Sequence, residues 1–309
     1  MLSGTVRPVP RPEGLAAIDL MIELPAGGGG MGLREARRHL RDAESAGYEH
    51  HPAQYLFRDA GDRMGQAWEW SEVVEMMDRH GIACAQVHVD SRRPDDAIAL
   101  FERYPGRFFG EVGVDPNRGM QAVRSLERTV QLHPAIRAAS LAPCLLDPQV
   151  PIGDKRCYPV YAKCIELGVP INVLTGVPGP RVPMACQDPY QLDELCWFFP
   201  ELTIVMRHGA EPWVDLAVKL LLKWPNLYYS TTAFAPKHYP RAIIDFANTR
   251  GADKVMWAGY FPGLSYERVF RELDDLPLRD HVWEPFLGGN ARRVFGLDAL
   301  LASTAASAG

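Results

Sequence analysis

His208 closes the apolar run LTIVMRH (Leu202–His208) and is followed by the small-residue turn Gly209-Ala210. A histidine in that place can take up and release a proton near neutral pH, because its ordinary pKa is about 6.5. Other ionisable residues fall in similar runs. Asp19 and Glu23 lie in AIDLMIEL (Ala17–Leu24), Glu111 in FFGEVGV (Phe108–Val114), and His88 ends IACAQVH (Ile82–His88). An ionised carboxylate inside an apolar run must be paired, or its pKa rises. Asp19 and Glu111 are therefore either structural ion pairs or functional acids, and Asp19 can hold Arg207 or a neighbouring donor. Substrate contacts are expected from His88, Thr175, Arg207 and Tyr260 at the ends of apolar runs, and from Arg181 and Lys237 in the loops that follow. Arginine would grip a carboxylate in a bidentate fashion. Tyr228, Tyr229, Phe234, Tyr260 and Phe261 fall near the same ends and would supply an apolar wall. His50-His51 reads as a loop feature or, alternatively, as part of the mouth lining, and Trp197-Phe198-Phe199 with Trp224 as helix packing.

Eight apolar runs could position these residues. They are Ala17–Leu24, Ile82–His88, Phe108–Val114, Ile136–Ala142, Val169–Thr175, Leu202–His208, Leu227–Thr231 and Lys254–Ala258. Between them lie helix-like stretches, including Glu69–Arg79, Tyr158–Leu167, Tyr190–Phe199, Trp213–Lys223 and Arg241–Thr249. Two end at a glycine, Gly81 and Gly168, the usual residue just past a helix. Strands alternating with helices imply parallel pairing through right-handed crossovers. Eight such units predict an α/β fold, a single (β/α)8 TIM barrel, whose catalytic face lies at the C-terminal ends of the strands. The barrel is expected over 16–298, with a Pro-rich arm at 1–15 and a disordered, Ala/Ser-rich tail at 299–309.

Composition agrees with a large globular core: 47% of the 309 residues are hydrophobic. A formal charge of −5 gives no electrostatic footprint for nucleic acid or an anionic membrane. No run reaches the roughly 20 apolar residues of a membrane span, and the N-terminus lacks the apolar stretch of a signal peptide. None of the six cysteines forms a CxxC pair, and they are read as buried reduced thiols of a cytoplasmic protein. No Ser-His-Asp or Cys-His arrangement is legible; Cys186 is a conceivable nucleophile only.

From about Ile18 to Leu297 the chain resembles the amidohydrolase-related family that includes aminocarboxymuconate semialdehyde decarboxylase and the aromatic-acid decarboxylases. The resemblance rests on Ile18-Asp19, ERYPGRFFGEVGVDP (Glu102–Pro116) and RCYPVYAKCIELGVPI (Arg156–Ile171). FPELTIVMRHGAEPW (Phe199–Trp213), KVMWAGYFP (Lys254–Pro262) and GNARRVFGL (Gly289–Leu297) continue it in the same order. The family's first strand reads Ile-Asp-x-His-x-His, and those histidines bind a metal; here the positions hold Met21 and Glu23. Leu174 stands where a third metal-binding histidine closes the fifth strand. Gly259 stands where an Asp supplies the last ligand. A thioether, an alkyl chain and a glycine hold a hard or borderline cation poorly or not at all. His208 matches the family's proton-handling histidine at the end of the sixth strand.

The resemblance therefore implies a metal-independent enzyme, a lyase before a hydrolase. His208 would act as general acid or base, and Glu23 as second proton-transfer group or substrate orienter. The substrate would be a medium-sized carbonyl or carboxylate compound undergoing decarboxylation, C–C cleavage, dehydration, isomerisation or cyclisation. No cofactor is expected, no nucleic-acid or membrane partner, and a homodimer by analogy with relatives. Two alternatives remain open at this point. One is a metal-dependent hydrolase or decarboxylase whose site is rebuilt from Glu23, His88, Asp90 and His208. The other is a non-catalytic binding or scaffold barrel.

Overall fold

The computed structural model describes residues 11–22, 36–57 and 60–307. Eight parallel strands follow one another in chain order: β1 (Ala17–Ile22), β2 (Ile82–Val89), β3 (Phe108–Gly113), β4 (Ile136–Leu141), β5 (Ile171–Leu174), β6 (Ile204–Arg207), β7 (Leu227–Ser230) and β8 (Val255–Met256). A parallel bridge between Ile22 and Phe261 joins the two ends of the sheet. One main helix precedes or follows each strand: α1 (Trp70–Arg79), α2 (Asp95–Arg103), α3 (Met120–Leu132), α4 (Tyr158–Leu167), α5 (Gln191–Phe198), α6 (Val214–Lys223), α7 (Arg241–Ala247) and α8 (Tyr266–Leu273). The chain is a single (β/α)8 TIM barrel.

Local sequence explains the element ends. Glu69 and Glu72 form a reciprocal capping box that starts α1. Gly168 ends α4 with φ of 65°, its N–H returning to the carbonyls of Cys164 and Ile165. The strands run shorter than the apolar runs at most C-terminal ends, and Val114, Ala142 and His208, just past β3, β4 and β6, line the mouth. β6 ends at Arg207, so His208 lies just beyond it.

The barrel interior is layered. Its lower part packs Ile18, Leu20, Cys84, Phe109, Val205 and Met256, and is closed from below by Ala291, Phe295 and Leu297. A second, larger apolar cluster fills the space between the sheet and the helices. All six cysteines are buried and free. No helix among the described residues is long and apolar enough to cross a membrane.

Two expectations need correction. The tail is helical over Asp298–Ser307. Trp197 and Phe198 are 69% and 54% exposed on α5, although the Phe198 ring still packs on Tyr158 of α4 at 5.4 Å. Helical geometry puts them on the face away from Leu192, Leu195 and Cys196, which α5 buries. Phe199 does pack, against Tyr158 and Tyr161, and Trp224 donates its indole N–H to Asp193 at 2.7 Å.

Candidate active site

A cavity of about 840 Å³ opens at the C-terminal ends of the strands. Its floor is a polar layer on top of the apolar one. Gln86, Glu111 and Arg207 line it, and Asn172 lies in the same buried network. The Arg207 guanidinium donates to Glu111 Oε1 at 2.7 Å, to the Leu20 carbonyl at 2.7 Å and to Gln86 Oε1 at 2.5 Å. Asn172 Nδ2 donates to Glu111 Oε2 at 2.6 Å. Side chains at i and i+2 share one face of a strand, so Gln86 with His88, and Phe109 with Glu111, climb the interior of the barrel. Three buried atoms of this layer have no partner: Arg207 Nε, Gln86 Nε2 and Asn172 Oδ1.

His208 stands on the wall above that floor. It has φ of 62°, followed by Gly209 at 100° and Ala210 at 83°. This left-handed turn swings the chain away from β6 directly after the last strand residue. The His208 N–H is held by Thr232 Oγ1 at 3.0 Å. Glycine suits position 209, since a side chain would be strained at φ of 100° and its Cβ would also crowd the Glu211 carboxylate and the Phe234 ring. The other left-handed non-glycine residues, Ala233 and Tyr260, also line the cavity. Such backbone costs about 1–3 kcal/mol per residue and clusters at functional sites. The Tyr260 ring meets His208 edge-on at 5.9 Å between centroids, and its hydroxyl lies 3.4 Å from His51 Nε2. Phe57 stacks on the other side of Tyr260 at 5.5 Å.

The structure brings together His208, His88, Arg207 and Tyr260 of the expected residues. Glu23 lies outside the described residues. Asp19 is fully buried beside the cavity and holds donors other than Arg207. It accepts from the Met21 N–H at 3.0 Å, the Gly259 N–H at 2.7 Å and the Tyr266 hydroxyl at 2.8 Å. Burial outweighs these bonds and raises its pKa from 3.8 to about 6. Thr175 donates its hydroxyl to the Arg207 carbonyl at 3.1 Å and braces β5 to β6 without lining the cavity. Arg181 and Lys237 are not brought to the cavity wall. Arg181 donates to Asp42 and Glu44 at 2.9 Å each and stacks over Tyr55. The Lys237 ammonium lies 3.9 Å from Glu272, whereas its neighbour His238 does line the cavity. Burial raises the Cys186 thiol to about 11, which suits a packed thiol rather than a nucleophile.

Sequence reasoning missed Gln86 and Glu211 and left His51 between a loop feature and the lining of the mouth. Gln86 was findable from its two-residue spacing to His88. His51 arrives from a long loop, and nothing local marks its destination. Glu211 lines the cavity with one buried oxygen unpartnered, and burial raises its pKa.

Among the described residues, which leave out Glu23, the donor set does not suit a hard or borderline metal ion. Met21 and Leu174 line the cavity, but one offers a thioether and the other nothing. Gly259 has no room for a side chain: a Cβ would lie 2.5 Å from Asp19 Oδ2 and 2.7 Å from the Tyr266 ring. Asp90 is engaged by Arg92 through both oxygens, at 2.9 and 3.0 Å, which lowers its pKa. Among the described residues no three His, Cys, Asp or Glu side chains group as a metal site.

The model of the amidohydrolase family matches residues 91–297, and the chain belongs to that family. Solved structures agree on the fold. An uncharacterised TIM-barrel protein from Bordetella bronchiseptica is 23% identical with a TM-score of 0.71, over 92% of this chain and 99% of that one. The 5-carboxyvanillate decarboxylase of Sphingomonas paucimobilis is 18% identical with a TM-score of 0.63, over 92% and 99%. The 4-oxalomesaconate hydratase of Rhodopseudomonas palustris is 16% identical with a TM-score of 0.60, over 95% and 100%. None of the curated proteins matches the sequence.

Proposed function

We propose that this chain is a lyase that works without a bound metal, with His208 moving the proton and a carboxylate or conjugated carbonyl compound as substrate. The observation that carries the reading is the pairing of two features of one cavity. Of the four positions that would hold a metal, Met21, Leu174 and a sterically closed Gly259 offer a cation little or nothing and Glu23 serves as second proton-transfer group, while His208 is held in a left-handed turn against Tyr260. The decarboxylases and hydratase among the similar structures favour loss of CO2 or of water over hydrolysis.

In the decarboxylation form, the His208 imidazolium donates its proton to the substrate carbon that bears the carboxylate. The bond to that carboxylate then breaks, CO2 leaves, and its electron pair restores the conjugated system. Water returns the proton to the imidazole. Glu211, shifted toward its neutral form by burial, is a second proton source on the same wall. Dehydration, C–C cleavage, isomerisation or cyclisation would use the same shuttle. The buried Arg207–Glu111 pair keeps a fixed guanidinium beneath the reacting group.

The test is CO2 release from a panel of hydroxybenzoates and conjugated enoic acids, with protein treated with chelator and with untreated protein. Chelated protein should keep full activity, and His208→Ala should lose about a hundred- to ten-thousand-fold in kcat. Near-stoichiometric metal that activity requires would overturn the metal-free reading. Full turnover by His208→Ala would overturn the assignment of the histidine.

A further inference from the structure

Tyr260 lines the cavity and is fixed both at its backbone and at its ring. Its φ of 62° is a left-handed value that bulky residues seldom adopt. The buried Asp19 carboxylate holds the preceding Gly259 N–H at 2.7 Å, and the Tyr260 carbonyl accepts from the Leu264 N–H at 3.0 Å. The ring stacks on Phe57 at 5.5 Å and meets His208 edge-on at 5.9 Å between centroids. Gly263 leaves room for it, since a Cβ there would stand 3.0 Å from the ring. Simple packing of an aromatic side chain does not call for a left-handed backbone, and such backbone gathers at functional sites.

The Tyr260 hydroxyl meets Nε2 of His51 at 3.4 Å, and the other ring nitrogen of His51 fixes which way that bond runs. The Ala53 N–H donates to His51 Nδ1 at 3.0 Å, so Nδ1 presents its lone pair. The proton of the neutral imidazole then sits on Nε2, and Nε2 donates to the Tyr260 oxygen. The His51 ring is kept in place edge-on to Phe57, at 5.6 Å between centroids. A phenolic oxygen that accepts one hydrogen bond still has its own hydrogen to give. It gives that hydrogen more strongly, because successive hydrogen bonds polarise one another.

A conjugated carbonyl compound that exchanges a proton at carbon passes through an enolate or phenolate, with negative charge on oxygen. Hydrogen-bond donors fixed in advance toward such an oxygen stabilise it more than water does. We infer that Tyr260 donates its hydroxyl hydrogen to this charged substrate oxygen, and that His51 is a positioning residue that orients and polarises the phenol. The proton stays on Tyr260, so no bond forms or breaks there, and His208 keeps the transfer at carbon. The assignment rests on the reaction proposed above only for which substrate group becomes charged.

Equilibrium binding to the whole chain tests it with two probes, 4-nitrophenolate, a stable oxyanion, and nitrobenzene, the same ring without one. At a pH where the phenol is ionised in solution, 4-nitrophenolate should bind about tenfold more tightly. Tyr260→Phe should close that gap and leave nitrobenzene unaffected. His51→Leu should narrow it, and His51→Gln, which keeps a donor near the Nε2 position, should restore most of it. Nitrogen-15 NMR of the histidines should find the His51 proton on Nε2. Equal affinities for the two probes, no binding of either at millimolar concentration, or a gap that survives Tyr260→Phe would overturn the assignment of Tyr260. A His51 proton on Nδ1, or a gap indifferent to His51→Leu, would overturn the part given to His51. His208→Gln should retain the gap, so failure here is separable from failure of the proton-transfer reading, which only turnover tests.

Discussion

Asp19 and Glu111 are both buried carboxylates near the top of the barrel, and the company each keeps separates a brace from a site. Glu111 faces the interior and meets a cation, Arg207, at 2.7 Å. Asp19 meets neutral donors, among them the Met21 and Gly259 N–H groups and the Tyr266 hydroxyl. The first pair places a fixed charge under a cavity. The second ties β1, the loop after β8 and α8 together, with the carboxylate's pKa raised to about 6 because no cation offsets its burial. In sequence the two looked alike, each an acid inside an apolar run.

The largest effect should come from breaking the charged pair. Arg207→Met leaves Glu111 buried without its cation and should destabilise the fold by about 3–5 kcal/mol. Adding Glu111→Leu should recover much of that loss, because both charges are then gone. Urea unfolding of the two variants and the parent measures it. A double variant as unstable as the single one would show that Glu111 matters to the fold through Asn172 and Gln86 rather than through Arg207.

Asp19 should announce itself in the pH dependence of stability. Its folded pKa of about 6 exceeds its ordinary 3.8, so the folded state holds this proton more tightly than the unfolded state. Its contribution to stability is therefore fully present below about pH 4 and is lost as pH rises through 6. The difference corresponds to at most about 3 kcal/mol. Asp19→Asn should remove that slope between pH 4 and 7. An unchanged slope would mean that the carboxylate is already ionised in the fold at pH 4.

Gly259 tests the same brace by size. Gly259→Ala should cost about 1–3 kcal/mol, since its Cβ must push against Asp19 and Tyr266. Wild-type stability would show that the seam yields. In that case the closure of the family's last metal-ligand position would be weaker than the geometry indicates.

The order of strands was legible because period and punctuation are local. Gly168 and the apolar run after it report their own φ and burial. His208 was legible for the same reason: the strand, the histidine and the small-residue turn are contiguous. The floor was only half legible, since Glu111, Asn172, Gln86 and Arg207 come from four strands and pair by closure of the barrel. Asp19 was expected to hold Arg207 or a neighbouring donor, and only closure of the barrel decides between them, in favour of the Gly259 N–H and the Tyr266 hydroxyl. Trp197 lies largely exposed because aromatic character says nothing about which side of a helix faces the sheet.

Arg181 should show the smallest effect, and that smallness sharpens the contrast between buried and exposed charge. Its guanidinium meets two carboxylates, Asp42 and Glu44, against the single carboxylate of Arg207, so a count of ion pairs would rank it higher. Water decides otherwise. The side chains of Arg181, Asp42 and Glu44 are 36%, 38% and 64% exposed, so solvent screens the attraction and rehydrates whatever is left unpaired. Arg181→Ala should move the unfolding midpoint by no more than about 2 °C and leave kcat/KM within about twofold. A tenfold or larger rise in KM, with kcat unchanged, would place Arg181 in the path of the substrate.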